Sequence, residues 1–234
     1  MKAYIFTIIL CISISSCKNK LEVQFPFSGT SLIIDSTLKP DRSIVAIYQP
    51  YQLALDSIMN EVLCYSTQYL EKSQPESRLS NWMADVCLKT VNKDYKLNFC
   101  LLNYGGIRST LPQGAVSTKN IFQIMPFENE LVIVEIPDSS FIKALEYLKY
   151  SNGHPISGIK LNIKDDIITH SMPSLKSVHI LTSDYLANGG DQMSFFADSL
   201  SMVKTNLKIR DILLAECKAI DSLRTILDNR FIYE

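Results

Sequence analysis

The feature that most limits the fold is a junction. The apolar run Leu97-Asn98-Phe99-Cys100-Leu101-Leu102 breaks off into Asn103-Tyr104-Gly105-Gly106-Ile107-Arg108. A short apolar run that stops at turn residues reads as a strand buried on both faces, and such a strand needs layers packed on either side of it. The surrounding elements supply them. Leu55, Ile58, Met59, Val62 and Leu70 recur near a helical period and predict a helix over residues 50–72, while Trp82, Met83 and Val86 mark a second over 81–91. Ser117 or Thr118 caps a short helix, Asp138 starts one carrying Phe141, Ala144, Leu145 and Leu148, and residues 206–219 form the last. Strands are expected over 130–136, 159–163 and 178–182, and residues 18–41 read as a tether running into an edge strand. Helices and strands interleave, so the class is α/β or α+β with a mixed sheet. No internal repeat and no Pro/Gly/Ser-rich linker interrupts the pattern, and residues 45–234 are expected to form one domain.

The chain opens MKAYIFTIILCISISSCKNK: one Lys, a short apolar run, then small residues up to Cys17. That is the shape of a secretory signal, and the run falls short of the roughly 20 apolar residues a membrane span needs. Ile14-Ser15-Ser16-Cys17 fits the lipobox of bacterial lipoproteins, which implies cleavage before Cys17 and a diacylglycerol thioether on its sulfur; an ordinary signal with a chance cysteine is the plainer alternative. The expected location is the bacterial cell envelope, lipid-anchored on its periplasmic or surface face, with residues 17–44 as the lipidated tether. A formal net charge of -1 argues against a nucleic-acid surface or a polybasic membrane patch. Cys64, Cys87, Cys100 and Cys217 show no C-x-x-C spacing and read as small buried hydrophobes; export permits a disulfide, but spacing does not choose a pairing.

Glycine is concentrated where chemistry is expected. NYGGIRSTLPQG (103–114) and DYLANGGDQ (184–192) hold five of the eight glycines. The first loop leaves the C-terminal end of the buried strand, the edge at which open α/β sheets collect ligands. Gly105 and Gly106 let backbone N–H groups come close to an anion, Arg108 adds a planar fork suited to phosphate, and Asn103 offers both a donor and an acceptor. The second loop also follows a predicted strand and puts the acceptor-only carboxylate of Asp191 beside Gly190, six residues after Tyr185. Met125-Pro126-Phe127-Glu128-Asn129 brings a further aromatic. Taken one at a time these are tight turns and core aromatics; taken together they suit a planar ring clamped between two aromatic faces.

The order NYGGIRSTLPQGAVSTKNIFQIMPFENELVIVEI, DYLANGGDQMSFF and terminal DNRFIYE, with PESRLSNWMAD at 75–85, resembles the C-terminal domain of the 5'-nucleotidase family, which includes ecto-5'-nucleotidases and UDP-sugar hydrolases. The likeness covers residues 45–234. It implies a layered α-β-β-α fold that binds nucleotide and presents it to a separate metal-bearing domain. By that resemblance Phe127 and Tyr185 sandwich the base, with Tyr where Phe is common; Asp191 holds the ribose hydroxyls, Arg108 the phosphate and Asn103 the base or sugar edge, and Asn129 lines the pocket. One departure is Pro75 before Glu76, where the family often has Arg. Arg78 is out of register, so phosphate binding is expected to rest on Arg108 alone.

Full-length members of that family carry an N-terminal metallophosphoesterase domain whose two metals sit on Asp, His and Asn. His154, His170 and His179 occur in no such motif and read as ordinary strand or loop residues. Neither a metal site nor another cofactor is therefore expected on this chain. The reading implied by the resemblance is the nucleotide-binding part of a hydrolase, with the divalent metal pair on a separately encoded metallophosphoesterase subunit. The alternative is an envelope lipoprotein that captures nucleosides or nucleotides without hydrolysing them, and a scaffold with no ligand is the third.

Overall fold

The computed structural model describes Gly29 and residues 31–234; the expected leader and Cys17 lie outside the described residues. The chain divides between Ala46 and Ile47, and residues Ile47–Glu234 form a compact unit of their own. Ahead of it, residues 31–41 form no strand, contrary to the edge strand expected there. Asp35 accepts hydrogen bonds from the N–H and hydroxyl of Thr37, and Asp41 from the N–H of Ser43. Short polar side chains thus satisfy the backbone locally, in competition with any ladder. Asp41 stands immediately before helix α1 (Arg42–Met59), none of whose residues is buried. No helix among the described residues is long and apolar enough to cross a membrane.

The compact unit continues as β1 (Val62–Ser66), α2 (Arg78–Val91), β2 (Phe99–Leu101), β3 (Gly114–Ser117), α3 (Thr118–Ile124), β4 (Glu130–Pro137), α4 (Asp138–Tyr150), β5 (Ile156–Ser157), β6 (Leu161–Lys164), β7 (Ile167–His170), β8 (Ser177–Ser183), α5 (Asp184–Ala187), β9 (Ser201–Lys208), α6 (Ile209–Ala219), β10 (Ser222–Leu223) and β11 (Phe231–Tyr233). The helix expected over 50–72 is corrected: it starts at Arg42, stops at Met59 and gives way to β1. In β1 burial alternates, with Cys64 and Ser66 inward and Tyr65 outward, and Leu70 is buried through a backbone bridge to Leu111. Val62 and Leu70 fall in helical phase without being helical. The last helix starts at Ile209, not at 206. Residues 201–208 instead pair with β4 as an edge strand, and its largely exposed side chains leave no alternation in the sequence to read.

The central sheet has the order β5-β2-β8-β4-β9. Only β2 and β8 run parallel, in register Phe99↔Ile180 and Cys100↔Leu181; the other pairings are antiparallel. Both faces are apolar because successive residues point opposite ways. Cys100, Leu131, Ile133 and Leu181 pack into one cluster with the buried sides of α2, α3 and α6. Phe99, Val132, Val134 and Ile180 join the other, with Phe141, Ala144, Leu145 and Leu148 of α4. Smaller mixed sheets, β10-β1-β3 and β11-β6-β7, complete the two clusters. The mixed α/β architecture is the class the sequence implies.

Two capping arrangements fix the helices that follow the loops. Ser77 accepts from the Ser80 N–H while Ser80 accepts from the Ser77 N–H, starting α2. At α3 the N–H and hydroxyl of Ser117 both donate to Asn120 Oδ1. The segments Pro75–Asp85 and Asp228–Glu234 are joined by a polar knot. Glu76 accepts from Asn81 Nδ2 and from the backbone N–H groups of Asp228 and Arg230, and the buried Arg230 guanidinium pairs with Asp85 and Asp228. Burial raises the Asp228 pKa, but hydrogen bonds and charge from Arg230 outweigh it and carry the carboxyl below its ordinary range. Cys64, Cys87, Cys100 and Cys217 are all buried, and none is in a disulfide.

Candidate functional site

The sheet order itself gathers three loops at one edge. Because β2 and β8 are adjacent and parallel, the segments that leave them, Asn103–Arg108 and Asp184–Asp191, emerge side by side. Strand β4 runs antiparallel to β8 with Leu131 opposite Ser183, so the Phe127–Asn129 segment that enters β4 starts from the same edge. A cleft of about 550 Å³ lies among them, and its walls include Asn103, Arg108, Phe127, Asn129, Tyr185 and Asp191. Gly105, Gly106 and Glu128 complete the lining. Of the pocket residues expected from the sequence, Gly190 alone is not on the cleft surface.

Each Gly-Gly pair has a steric reason. A Cβ on Gly106 would stand 2.6 Å from Asn103 Oδ1, and one on Gly190 would stand 2.5 Å from the ring of Tyr185. The Asn103 amide oxygen and the Tyr185 ring therefore occupy the space that a side chain at Gly106 or Gly190 would need. Gly189 adds a left-handed conformation at φ 88°. Asp191 and Gln192 follow at φ 50° and 61°, unusual for residues with side chains.

Asp191 is the centre of the polar network. Its Oδ2 accepts from Asn103 Nδ2 at 2.7 Å and its Oδ1 from the Tyr185 hydroxyl at 2.8 Å. Its carbonyl accepts from the Tyr147 hydroxyl at 2.7 Å. Tyr147 stacks on His154 at 5.5 Å between centroids, and His154 Nδ1 accepts the N–H of Tyr104 at 3.1 Å. Burial pushes the His154 pKa down to about 4, against an opposing pull from Asp191. The imidazole is thus held neutral, as an acceptor at Nδ1 must be.

Phe127 and Tyr185 are 42% and 47% exposed, which excludes core packing as their role. Arg108 donates to the Gly105 carbonyl at 3.4 Å, and its guanidinium stands 5.9 Å from the Phe127 ring centroid. Asn129 donates to Asp184 at 3.1 Å, so its amide also braces the loop after β8. Glu128, which the sequence reading quoted but did not select, is ion-paired with Lys208 and with the buried Arg210. Arg210 also donates to the Pro126 carbonyl, fixing the loop that carries Phe127.

A second cation was missed. Lys72 Nζ lies 4.1 Å from the Tyr104 ring centroid, and burial, then the neighbouring charge of Arg108, lower its pKa. Lys72 is therefore a second positive charge within reach of Arg108, outside the lining of the cleft. Lys72 precedes Pro75 by three positions, and the sequence signal was the empty basic position ahead of Glu76.

A family model described as the 5'-nucleotidase C-terminal domain matches residues 60–178. The 5'-nucleotidase of Homo sapiens is 23% identical over 211 residues, covering 74% of this chain and 37% of that protein. That of Vibrio parahaemolyticus is 22% identical over 187 residues, covering 74% and 33%. Among solved structures, a 5'-nucleotidase precursor from Thermus thermophilus superposes with a TM-score of 0.70 at 19% identity, covering 82% of this chain and 42% of that one. The chain thus spans well under half the length of each of these relatives.

Proposed function

The chain belongs to the family of 5'-nucleotidase C-terminal domains, and on that premise we propose that its cleft binds a 5'-nucleotide and that the chain is the substrate-holding part of a phosphoester hydrolase of nucleotide catabolism. The observation that carries this reading is the placing of Arg108, Phe127, Tyr185 and Asp191 around one cleft. Exposed aromatic faces suit a base, a contact worth about 1–3 kcal/mol. The Asp191 carboxylate suits ribose hydroxyls, and Arg108 with Lys72 beyond it suits the phosphate.

Hydrolysis asks for more than the described residues offer. No group of three or more His, Cys, Asp or Glu side chains among them is arranged to hold a metal ion, so they do not fit the dinuclear site that the family resemblance implies for full-length members. In this proposal the metal pair and bond breaking belong to a separately encoded metallophosphoesterase subunit. The lipid on Cys17 and the tether of residues 17–44 would hold the chain at the bacterial envelope, where anchoring both subunits partly replaces the effective concentration of a linker, of order mM.

The test is to assay purified protein with AMP, alone and with a metallophosphoesterase subunit encoded beside it. Binding without phosphate release by the chain alone, and release once partner and divalent metal are added, is the expected result. Robust metal-dependent hydrolysis by the chain alone sinks the split-enzyme reading. The lack of a metal-ligand cluster among the described residues also suits a capture lipoprotein, and that reading gains if the partner never restores phosphate release while AMP still binds.

A further inference from the structure

Tyr185 carries a hydroxyl that stacking on a base does not use. That hydroxyl donates to Asp191 Oδ1 at 2.8 Å and accepts from the Asp191 N–H at 3.3 Å, so one residue occupies it in both senses. Asn103 holds the other carboxylate oxygen at 2.7 Å. The backbone beneath is fixed as well: Asp191 sits at φ 50°, its carbonyl is held by Tyr147, and Gly190 lets the Tyr185 ring press against the turn. The carboxylate cannot turn without giving up one of these bonds. Each carboxylate oxygen has two acceptor positions. One on each is taken from within the chain, which leaves one on each for a ligand.

We propose that Tyr185 is a positioning and specificity-determining residue: its hydroxyl orients Asp191 as a fixed fork of two acceptors that selects ligands with a vicinal cis-diol, and so ribonucleosides and ribonucleotides over their 2'-deoxy counterparts. The inference rests on the nucleotide reading of the cleft. A ligand without the 2'-hydroxyl leaves one desolvated acceptor unpaired, the kind of mismatch that discriminates strongly between close analogues. Phenylalanine at 185 would keep the aromatic face but release Oδ1 to rotate, and a freely turning carboxylate adapts to a single hydroxyl. The hydroxyl therefore acts on selectivity, the ring on affinity.

Calorimetry with adenosine and 2'-deoxyadenosine on the wild-type protein and on Tyr185→Phe tests this. The wild type is expected to prefer adenosine by about tenfold or more, the worth of one hydrogen bond to a charged acceptor. In Tyr185→Phe, which keeps the aromatic ring, that ratio falls to about twofold or less. Asp191→Asn serves as the second variant, since it keeps the size of the side chain but removes an acceptor; the same loss of discrimination is expected, with no further loss in the double variant. An unchanged ratio in Tyr185→Phe overturns the proposal alone, as does tighter binding of both ligands, which would make the hydroxyl a plug. Wild-type protein that binds neither nucleoside nor AMP overturns it together with the nucleotide reading.

Discussion

The side-chain amide of Asn103 donates to the carboxylate of Asp191 at 2.7 Å, joining two loops 88 positions apart in the sequence. This bond ties together the two loops that leave the parallel pair β2 and β8. Asn103→Ala removes it and leaves Oδ2 of Asp191 to solvent. We expect about 1 kcal/mol less stability in urea unfolding, the usual worth of one hydrogen bond, and roughly tenfold weaker nucleoside binding by calorimetry. Unaltered affinity would mean that Tyr185 and Tyr147 position Asp191 without Asn103.

Arg108 and Lys72 are predicted to act on the phosphate and on nothing else in a nucleotide. Arg108→Ala should weaken AMP by about tenfold to a hundredfold, as loss of charge-assisted hydrogen bonds does, while adenosine is bound as before. Lys72→Ala should cost less, because its ammonium lies over the Tyr104 ring and not on the cleft wall. The Lys72 effect should shrink with added salt, since screening acts over about 10 Å at 0.1 M. Equal losses of AMP and adenosine in Arg108→Ala would remove its phosphate assignment.

The loops that line the cleft are more legible in the sequence than the edge strand and the helix boundaries around them, and the reason is physical. Glycine pairs, a carboxylate and aromatics on loops are local signals, whereas the parallel pairing of β2 with β8 that sets two of these loops side by side joins residues distant in the chain and is written in neither segment. Strand β9 left no signal because it lies at the sheet edge with largely exposed side chains, so neither alternation nor an apolar run marks it. Helix α1 misled in the opposite way. Its apolar positions are periodic and unburied, and the helical phase carries the expected boundary, residue 72, past the whole of β1. Lys72 and Glu128 escaped because their roles depend on partners elsewhere in the fold, the Tyr104 ring for one and Lys208 with Arg210 for the other.

The two glycine pairs yield a prediction about shape. Gly190→Ala forces its new methyl into the Tyr185 ring, against atoms 2.5–2.6 Å away, so the ring must swing off the turn. Gly106→Ala meets Asn103 Oδ1 at 2.6 Å, the end of a side chain that can move. Both variants should fold. Gly190→Ala should lose base stacking, worth about 1–3 kcal/mol, whereas Gly106→Ala should lose about 1 kcal/mol of binding through a displaced Asn103. Nucleoside affinities for the two variants check the order; wild-type affinity in Gly190→Ala would show that the ring's seat does not matter.

His154 makes stability depend on acid in a window that carboxylates do not share. Its Nδ1 must stay unprotonated to accept the Tyr104 N–H at 3.1 Å, and burial holds its pKa down at about 4. An unfolded histidine titrates near 6.5, so between those values the unfolded chain binds the extra proton and the fold loses stability as pH falls. The contribution is complete above about pH 6.5, declines through the window and is flat below about 4, amounting to about 2 kcal/mol lost by pH 5. Asp228, whose pKa is lowered, also stabilises above its unfolded value and adds its own loss only at lower pH. Urea unfolding at about pH 7.5 and about pH 5 should show the loss in the wild type. His154→Gln keeps an acceptor near the Tyr104 N–H but cannot be protonated, so its stability should change little over the same interval. An acid loss of equal size in His154→Gln would place the titrating group elsewhere. Folded protein keeps the bond from Tyr104 until pH approaches about 4, so ligand affinity should hold between about pH 7.5 and pH 5 while stability falls.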